Sequence, residues 1–72
     1  MSMNTTVTLH DCAELFRSVN IPISETVLGS MIIAEKFPFA VGIKENQRGV
    51  YLIFTKGVCD YLEEKTGRRP NV

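Results

Sequence analysis

Residues 36–54 read KFPFAVGIKENQRGVYLIF, and this stretch decides the fold. Pro38 lacks a backbone N–H and restricts the residue before it, so a helix that precedes it must end here. Apolar residues then alternate with small or polar ones over 39–44, and 50–54 form a β-branched and aromatic run. The intervening ENQRG has the length of a hairpin loop, with Gly49 placed to accept a positive φ. The stretch therefore predicts a helix end followed by an antiparallel β-hairpin.

Two helices are predicted upstream of this hairpin. Apolar residues recur at i, i+3, i+4 and i+7 behind Thr8, which is placed to cap a helix over 9–18. Pro22 then forces a turn, because it pushes the preceding residue out of helical geometry. Ser24 follows as a natural N-cap, and apolar residues at helical spacing predict a second helix over 25–36. A tight turn therefore joins the two helices.

A third helix is predicted after the hairpin, with Thr55 as its N-cap and Gly67 as its end. The order helix, turn, helix, hairpin, helix predicts one α+β domain over 7–66. A chain of 72 residues is too short for a second domain. Segments 1–6 and 67–72 lack a periodic apolar pattern, and we expect them to be flexible termini.

Charge is distributed unevenly along the chain. The formal net charge is zero, which removes the simplest compositional argument for nucleic-acid binding. Residues 1–35 include one basic and four acidic residues, whereas residues 36–72 include seven basic and four acidic residues. An anion-binding surface is therefore expected to be built from the second half of the chain.

The residues with reactive side chains predict neither a metal site nor catalysis. Cys12 and Cys59 lie in apolar helical patterns without zinc-binding spacing, and we interpret them as reduced core residues. His10 and Asp11 are adjacent, so on a helix their side chains point about 100° apart and do not form a catalytic pair. The glutamate pair at 63–64 is typical of a solvated helix face. We expect no metal, no cofactor and no enzymatic activity.

The apolar runs of the chain are short. They fall well below the roughly 18 consecutive residues of a membrane span. The N-terminal residues also lack the apolar run of a secretory signal. We therefore expect a cytoplasmic protein without a membrane partner.

Short motifs occur in each predicted element. The first helix contains LHDCAELF, and the second begins with Ser24, Thr26 and Val27. The hairpin is preceded by KFPFA, and its second strand contains VYLIF. The last helix contains DYLEE. Over about 7–66, these positions resemble the small excisionase and MerR-like DNA-binding group. The resemblance implies a winged helix-turn-helix, in which the hairpin is a two-stranded wing that binds double-stranded DNA. It also implies an excisionase-like accessory protein or a transcription regulator of a phage or other mobile element.

The second helix departs from that group on its exposed face. The group usually has Arg or Lys there, whereas this chain offers Gly29, Ile33 and four candidate DNA-binding residues: Ser24, Glu25, Thr26 and Ser30. Hydroxyl and apolar contacts discriminate bases less well than a bidentate arginine. Gly29 costs roughly 1 kcal/mol relative to alanine, which indicates either close approach of another backbone or a weak helix.

The wing is the strongest candidate for DNA contact. Lys44 and Arg48 are suited to phosphates, and Asn46 and Gln47 to sugar, phosphate or base edges. The alternative is that any exposed turn is polar. Further cations are expected to flank the same surface: Lys36, Lys56, Arg68 and Arg69. With three or four phosphate contacts, log K should fall with log salt at a slope near −3, and useful affinity would need a homodimer or a cooperative array.

The aromatic residues are predicted to be core rather than a platform for base stacking, because strand alternation turns some of them toward the helices. They are Phe16, Phe37, Phe39, Tyr51, Phe54 and Tyr61. If Tyr51 and Val41 share an exposed face, a protein partner or second subunit is expected. Zero net charge and a second helix without Arg or Lys among the exposed residues named above motivate an alternative function, a winged-helix protein-interaction module without significant DNA affinity. Its partner would be a phage or host protein.

Overall fold

The structure is a computed structural model that describes residues 5–70. In chain order, the elements are β1 (Thr6–Val7), α1 (Leu9–Ser18), α2 (Glu25–Ile33), β2 (Ala40–Glu45), β3 (Arg48–Phe54) and α3 (Thr55–Thr66). The strands form one antiparallel sheet in the order β1-β3-β2. The described residues are therefore a small α+β domain with three helices and a three-stranded sheet. None of the helices within residues 5–70 has the length and apolar character required to cross a membrane.

Side-chain caps set the starts of the first two helices, as predicted. The Asp11 backbone N–H donates to Thr8 Oγ1 over 3.1 Å at the start of α1. At the start of α2, the Val27 N–H donates to Ser24 Oγ over 3.2 Å. Each cap satisfies one of the backbone donors that a helix leaves unpaired in its first turn. The predicted bounds of α1 are confirmed.

The second helix is shorter than predicted. It ends at Ile33 rather than 36, because Glu35 adopts a left-handed conformation with φ of 59°. The Lys36 N–H then donates to the Met31 carbonyl and the Glu35 N–H to the Ile32 carbonyl, both over 3.0 Å. This is a Schellman ending, which usually has glycine at the left-handed position. The helix therefore stops before Pro38 acts on it.

The hairpin turn is tighter than predicted. Asn46 and Gln47 are its two central residues, with φ of 48° and 64°, which corresponds to a type I′ turn. The strands therefore extend to Glu45 and Arg48, which are directly opposite each other. Gly49 was predicted to supply the positive φ of the loop, and this is wrong: it lies within β3, opposite Lys44.

The start of α3 also differs from the prediction. Phe54, not Thr55, occupies the N-cap position, and its side chain makes no capping hydrogen bond. Thr55 is the first helical residue and is 1% exposed. Its N–H donates to the Thr5 carbonyl over 3.0 Å, which joins β1 to the end of β3. A side chain buried in this way is not available to a ligand.

The packed part of the chain reaches beyond 7–66 at both ends. Thr6 pairs with Phe54 as part of β1, and Pro70 is buried. A two-residue strand is too short to produce an alternating pattern, so sequence periodicity does not predict it. The outer parts of the predicted flexible termini, 1–4 and 71–72, lie outside the described residues.

The core lies between the three helices and the face of the sheet that we call the inner face. Its fully buried side chains include Cys12, Leu28, Ile32, Ile53, Val58, Cys59 and Leu62. Four aromatic rings pack at one side of the core, with centroids 4.8 to 6.4 Å apart: Phe16, Phe37, Phe39 and Tyr61. Both cysteines are free and buried, as predicted for core residues. Burial raises the pKa of the Cys12 thiol to about 12.

Candidate nucleic-acid interface

The start of α2 presents two exposed hydroxyl side chains and one half-buried carboxylate. Thr26 and Ser30 are exposed and, four residues apart, lie on the same side of the helix. His10 Nδ1 donates to Glu25 Oε2 over 2.9 Å, which joins the start of α1 to the start of α2. This hydrogen bond, together with the negative charge of Glu25, raises the pKa of His10. The fourth candidate, Ser24, is the N-cap, so its oxygen already accepts a backbone hydrogen bond.

A cleft separates α2 from the tip of the hairpin. Its volume is about 320 Å³, and its lining comes from α1, α2, both long strands and the turn between them: Leu9, Glu25, Thr26, Ser30, Ile33, Lys44, Gln47, Gly49 and Tyr51. We call this space the α2–hairpin cleft. It brings three candidates from the second helix together with Lys44 and Gln47 from the hairpin, which are distant in sequence. The combination of hydroxyl, amide and ammonium groups is suited to phosphate, sugar and base edges.

The hairpin candidates do not all face this cleft. Lys44 lies on the inner face of β2, whereas Arg48 is opposite Glu45 and projects from the other side, which we call the outer face. Asn46 and Arg48 line a separate groove of about 260 Å³ with Glu45 and Val50. The two cations that the sequence predicts to act together therefore point in opposite directions from one hairpin.

Tyr51 is a cleft residue that sequence reasoning did not select as a candidate. It is half-buried, and its ring lies close to three glycines: Gly29 of α2, Gly42 of β2, and Gly49 of its own strand β3. A Cβ at Gly29 would lie 2.5 Å from the Tyr51 hydroxyl oxygen, and one at Gly42 would lie 3.0 Å from Tyr51 Cδ1. Gly29 therefore accommodates a side chain, not another backbone, and the three glycines are the signal that identifies this site.

Two candidate cations on or near α3 are held by carboxylates. Lys56 Nζ donates to Asp60 over 3.0 Å, and Arg69 donates to Asp60 over 2.7 Å and to Glu63 over 3.3 Å. The hydrogen bond from Arg69, followed by that from Lys56, lowers the pKa of Asp60. All these groups are at least partly exposed, so the ion pairs contribute little to stability. Their main effect is to reduce the charge that Lys56 and Arg69 present to a ligand.

The other candidate cations make no ion pair within the described residues. These are Lys36, Lys44, Arg48 and Arg68, and all four are exposed. Lys36 follows the end of α2, and Arg68 follows the end of α3. Of the four, Lys44 is the one that lines the α2–hairpin cleft.

The outer face of the sheet is apolar. Val41 and Tyr51 do not share a face, because Tyr51 is opposite Gly42 while Val41 is opposite Leu52. Val41 is 61% exposed and lies with the other outward residues. Phe54 is also on this face and is 43% exposed, so the prediction that it belongs to the core is wrong. The cause is strand alternation, since its neighbour Ile53 points inward and is fully buried.

Searches with family models, curated proteins and solved structures gave no significant match to this chain. Residues 5–70 contain no group of three or more His, Cys, Asp or Glu side chains placed to hold a metal ion. The arrangement of the α2–hairpin cleft can supply hydrogen bonds and one ammonium charge to a ligand. Its acidic residue, Glu25, is opposed by His10 when the imidazole is protonated.

Proposed function

We propose that this protein binds double-stranded DNA as a winged helix-turn-helix domain. In this proposal α2 enters the major groove and the β2–β3 hairpin acts as the wing on the adjacent backbone. The observation that most supports it is the α2–hairpin cleft, because polar residues of α2 and of the hairpin line one continuous surface there. A surface of this kind follows a groove and its neighbouring phosphates at the same time.

The dimensions of α2 are compatible with this role. An α-helix with its side chains is about 10–12 Å across, and the major groove of B-DNA is about 12 Å wide, so a helix such as α2 fits into it. Thr26 and Ser30 supply hydroxyls to base edges or phosphates, and the apolar Ile33 continues along the cleft toward thymine methyl groups. Lys44 and Gln47 then contact the backbone beside the groove. The base specificity of such contacts is modest, since α2 contains no arginine that could bind guanine through two hydrogen bonds.

The biological role rests on the resemblance to the excisionase and MerR-like group. The observed order of two helices, a hairpin and a final helix is compatible with that fold. We therefore propose an excisionase-like accessory protein or a transcription regulator of a mobile element, acting in the cytoplasm by binding rather than by catalysis. Few unpaired cations mean that one copy binds weakly, so several copies or a dimer would act together.

Fluorescence anisotropy with a labelled duplex at low salt, followed by a salt titration, tests DNA binding. We expect a slope of log K against log salt of about −2 to −3 for the wild type. The double substitution Lys44→Ala with Arg48→Ala should lower the affinity and make the slope shallower. Lys65→Ala removes a cation that instead lies over the Tyr61 ring, 5.7 Å from its centroid, and serves as the control. Absence of binding at low salt, or an equal loss in the control, would contradict the proposal.

A second candidate function is a winged-helix protein-interaction module without significant DNA affinity. The specific observation that favours it is the exposed apolar outer face of the sheet, together with Glu25 in the α2–hairpin cleft. In that case Lys44→Ala, which acts on the inner face, would leave partner binding unchanged, and the wild type would show no salt-dependent association with DNA. The partner would be a phage or host protein.

A further inference from the structure

The outer face of the sheet is an apolar surface that no other element within residues 5–70 covers. Five large apolar side chains project from it, and each is between 43% and 61% exposed. The strand register pairs Val41 with Leu52 and Ile43 with Val50, so these four form two adjacent cross-strand pairs. Phe54 continues the same row at the end of β3. We call these five residues the outer patch.

The outer patch is almost free of charge. On this face of the hairpin, the charged side chains are Glu45 and Arg48, which are directly opposite each other beside the turn. A nucleic acid or an acidic peptide would meet a single cation here, and that cation has a carboxylate as its neighbour. By contrast, two copies of this patch related by a two-fold axis bring no like charges together at their centre. The outer patch is therefore complementary to the same patch on a second copy of the chain.

The size of the outer patch also fits a second copy. From their exposed fractions, the five side chains present on the order of 450 Å² to solvent, and apolar patches of this size are often functional. A standard interface buries about 800 Å² per partner, with an apolar centre and a polar rim. The outer patch thus supplies more than half of the area, and the turn and the strand ends supply the rim.

The small size of the described domain adds an independent reason for association. A domain of about this size buries only about 60% of the surface that its unfolded chain exposes. Domains of this size are often stabilised by disulfides, metals or oligomerisation. Here the two cysteines are free and buried in the core. Burial of the outer patch against another protein surface would add apolar area that the single chain lacks.

We propose that the outer patch is the interface of a homodimer, in which two sheets pack face to face about a two-fold axis. Aligned sheets pack about 10 Å apart with strands at roughly 30°, which would give a sandwich with the helices on both outsides. The α2–hairpin cleft lies on the other side of the sheet and stays open in each copy. The proposal stands on the apolar surface and does not depend on DNA binding.

Sedimentation velocity from low micromolar to several hundred micromolar protein tests this proposal. We expect the wild type to sediment with twice the mass of the 8.1 kDa chain. Ile43→Lys places a charge in the centre of the outer patch and should give a monomer with an unchanged far-ultraviolet circular dichroism spectrum. Val27→Lys is the matched control, because Val27 is 50% exposed but lies on α2, and it should remain dimeric.

A conservative variant protects the test against loss of folding. Ile43→Thr keeps a β-branched residue in the strand and should weaken the dimer at least tenfold, which separates the interface from strand stability. A wild type that is monomeric at every concentration would overturn the proposal. Equal dissociation of Val27→Lys and Ile43→Lys would also overturn it, since the effect would then not be specific to the outer patch.

Discussion

The inner and outer faces of the β2–β3 hairpin differ in composition and surroundings, although alternate residues of the same two strands build them. The inner face combines small residues, Tyr51 and Lys44, and it packs beside α2. The outer face consists of exposed aliphatic residues and Phe54, with Glu45 and Arg48 opposite each other beside the turn. A shift of one residue in register would exchange the two sets of side chains. One hairpin therefore presents two chemically different surfaces: a polar one beside α2, which we propose for DNA, and an apolar one, which we propose for a second copy of the chain.

The largest expected effect comes from truncation of neighbouring residues on the two faces. Ile53 points inward and is fully buried, whereas its neighbour Leu52 points outward and is 46% exposed. Ile53→Ala should lower the free energy of unfolding by about 2–5 kcal/mol, because it leaves a cavity in the core. In dilute solution, Leu52→Ala should lower it by no more than about 1 kcal/mol. Urea denaturation measures both, and similar losses would contradict the assignment of faces.

A smaller effect is expected where the inner face meets α2. Gly29→Ala gains roughly 1 kcal/mol of helix propensity, but its new methyl group would lie against the Tyr51 hydroxyl. Displacement of a packed ring costs about 1–3 kcal/mol, so we expect a net destabilisation of about 1 kcal/mol. Tyr51→Phe in the same chain should recover part of this loss, because it removes the nearest atom. Urea denaturation of the two single variants and the double variant measures the coupling between the sites. Absence of coupling would contradict the close contact between position 29 and the Tyr51 ring.

The smallest effect concerns the acidic residue at the cleft. The hydrogen bond to Glu25 raises the pKa of His10, so Glu25→Gln should lower that pKa toward its ordinary value, measured by NMR titration of the imidazole. A raised pKa in the folded state means that the ion pair stabilises the protein below the unfolded pKa of about 6.5. This contribution is lost as pH rises through the folded pKa. The DNA affinity of the wild type should fall as pH rises over the same range. His10 loses its positive charge there, so the negative charge of Glu25 is no longer balanced beside the DNA phosphates.

Local signals account well for the helix starts. Thr8 and Ser24 cap α1 and α2 through side-chain bonds that act within four residues, and they are visible in the sequence. The end of α2 is less visible, because Glu35 takes a left-handed conformation where glycine would be expected, whereas Asn20, after α1, is a residue that often adopts it. The side chain of Glu35 gives no sequence signal for a left-handed backbone conformation. The predicted length of α2 was therefore wrong at its end and correct at its start.

The arrangement of the candidate site depends on turn length and on tertiary contacts. A two-residue turn at Asn46 and Gln47 fixes the register, and the register sends Lys44 and Arg48 to opposite faces. The five-residue loop predicted from the sequence leaves that relation undetermined. Likewise, the pairing of Arg69 with Asp60 joins residues nine positions apart across a helix end, which no short motif signals. The proximity of Lys44 to Thr26 and Ser30 also follows from the fold alone.

The most direct test of the central claim compares two single substitutions within the hairpin. Lys44→Ala removes the cation that faces the α2–hairpin cleft, and Arg48→Ala removes one from the outer face, with the same change in net charge. Salt-dependent anisotropy with a DNA duplex should show that Lys44→Ala makes the slope of log K against log salt shallower by about 1, whereas Arg48→Ala changes it less. Equal effects of the two substitutions, or a larger effect of Arg48→Ala, would contradict the claim that the cleft is the DNA-binding surface.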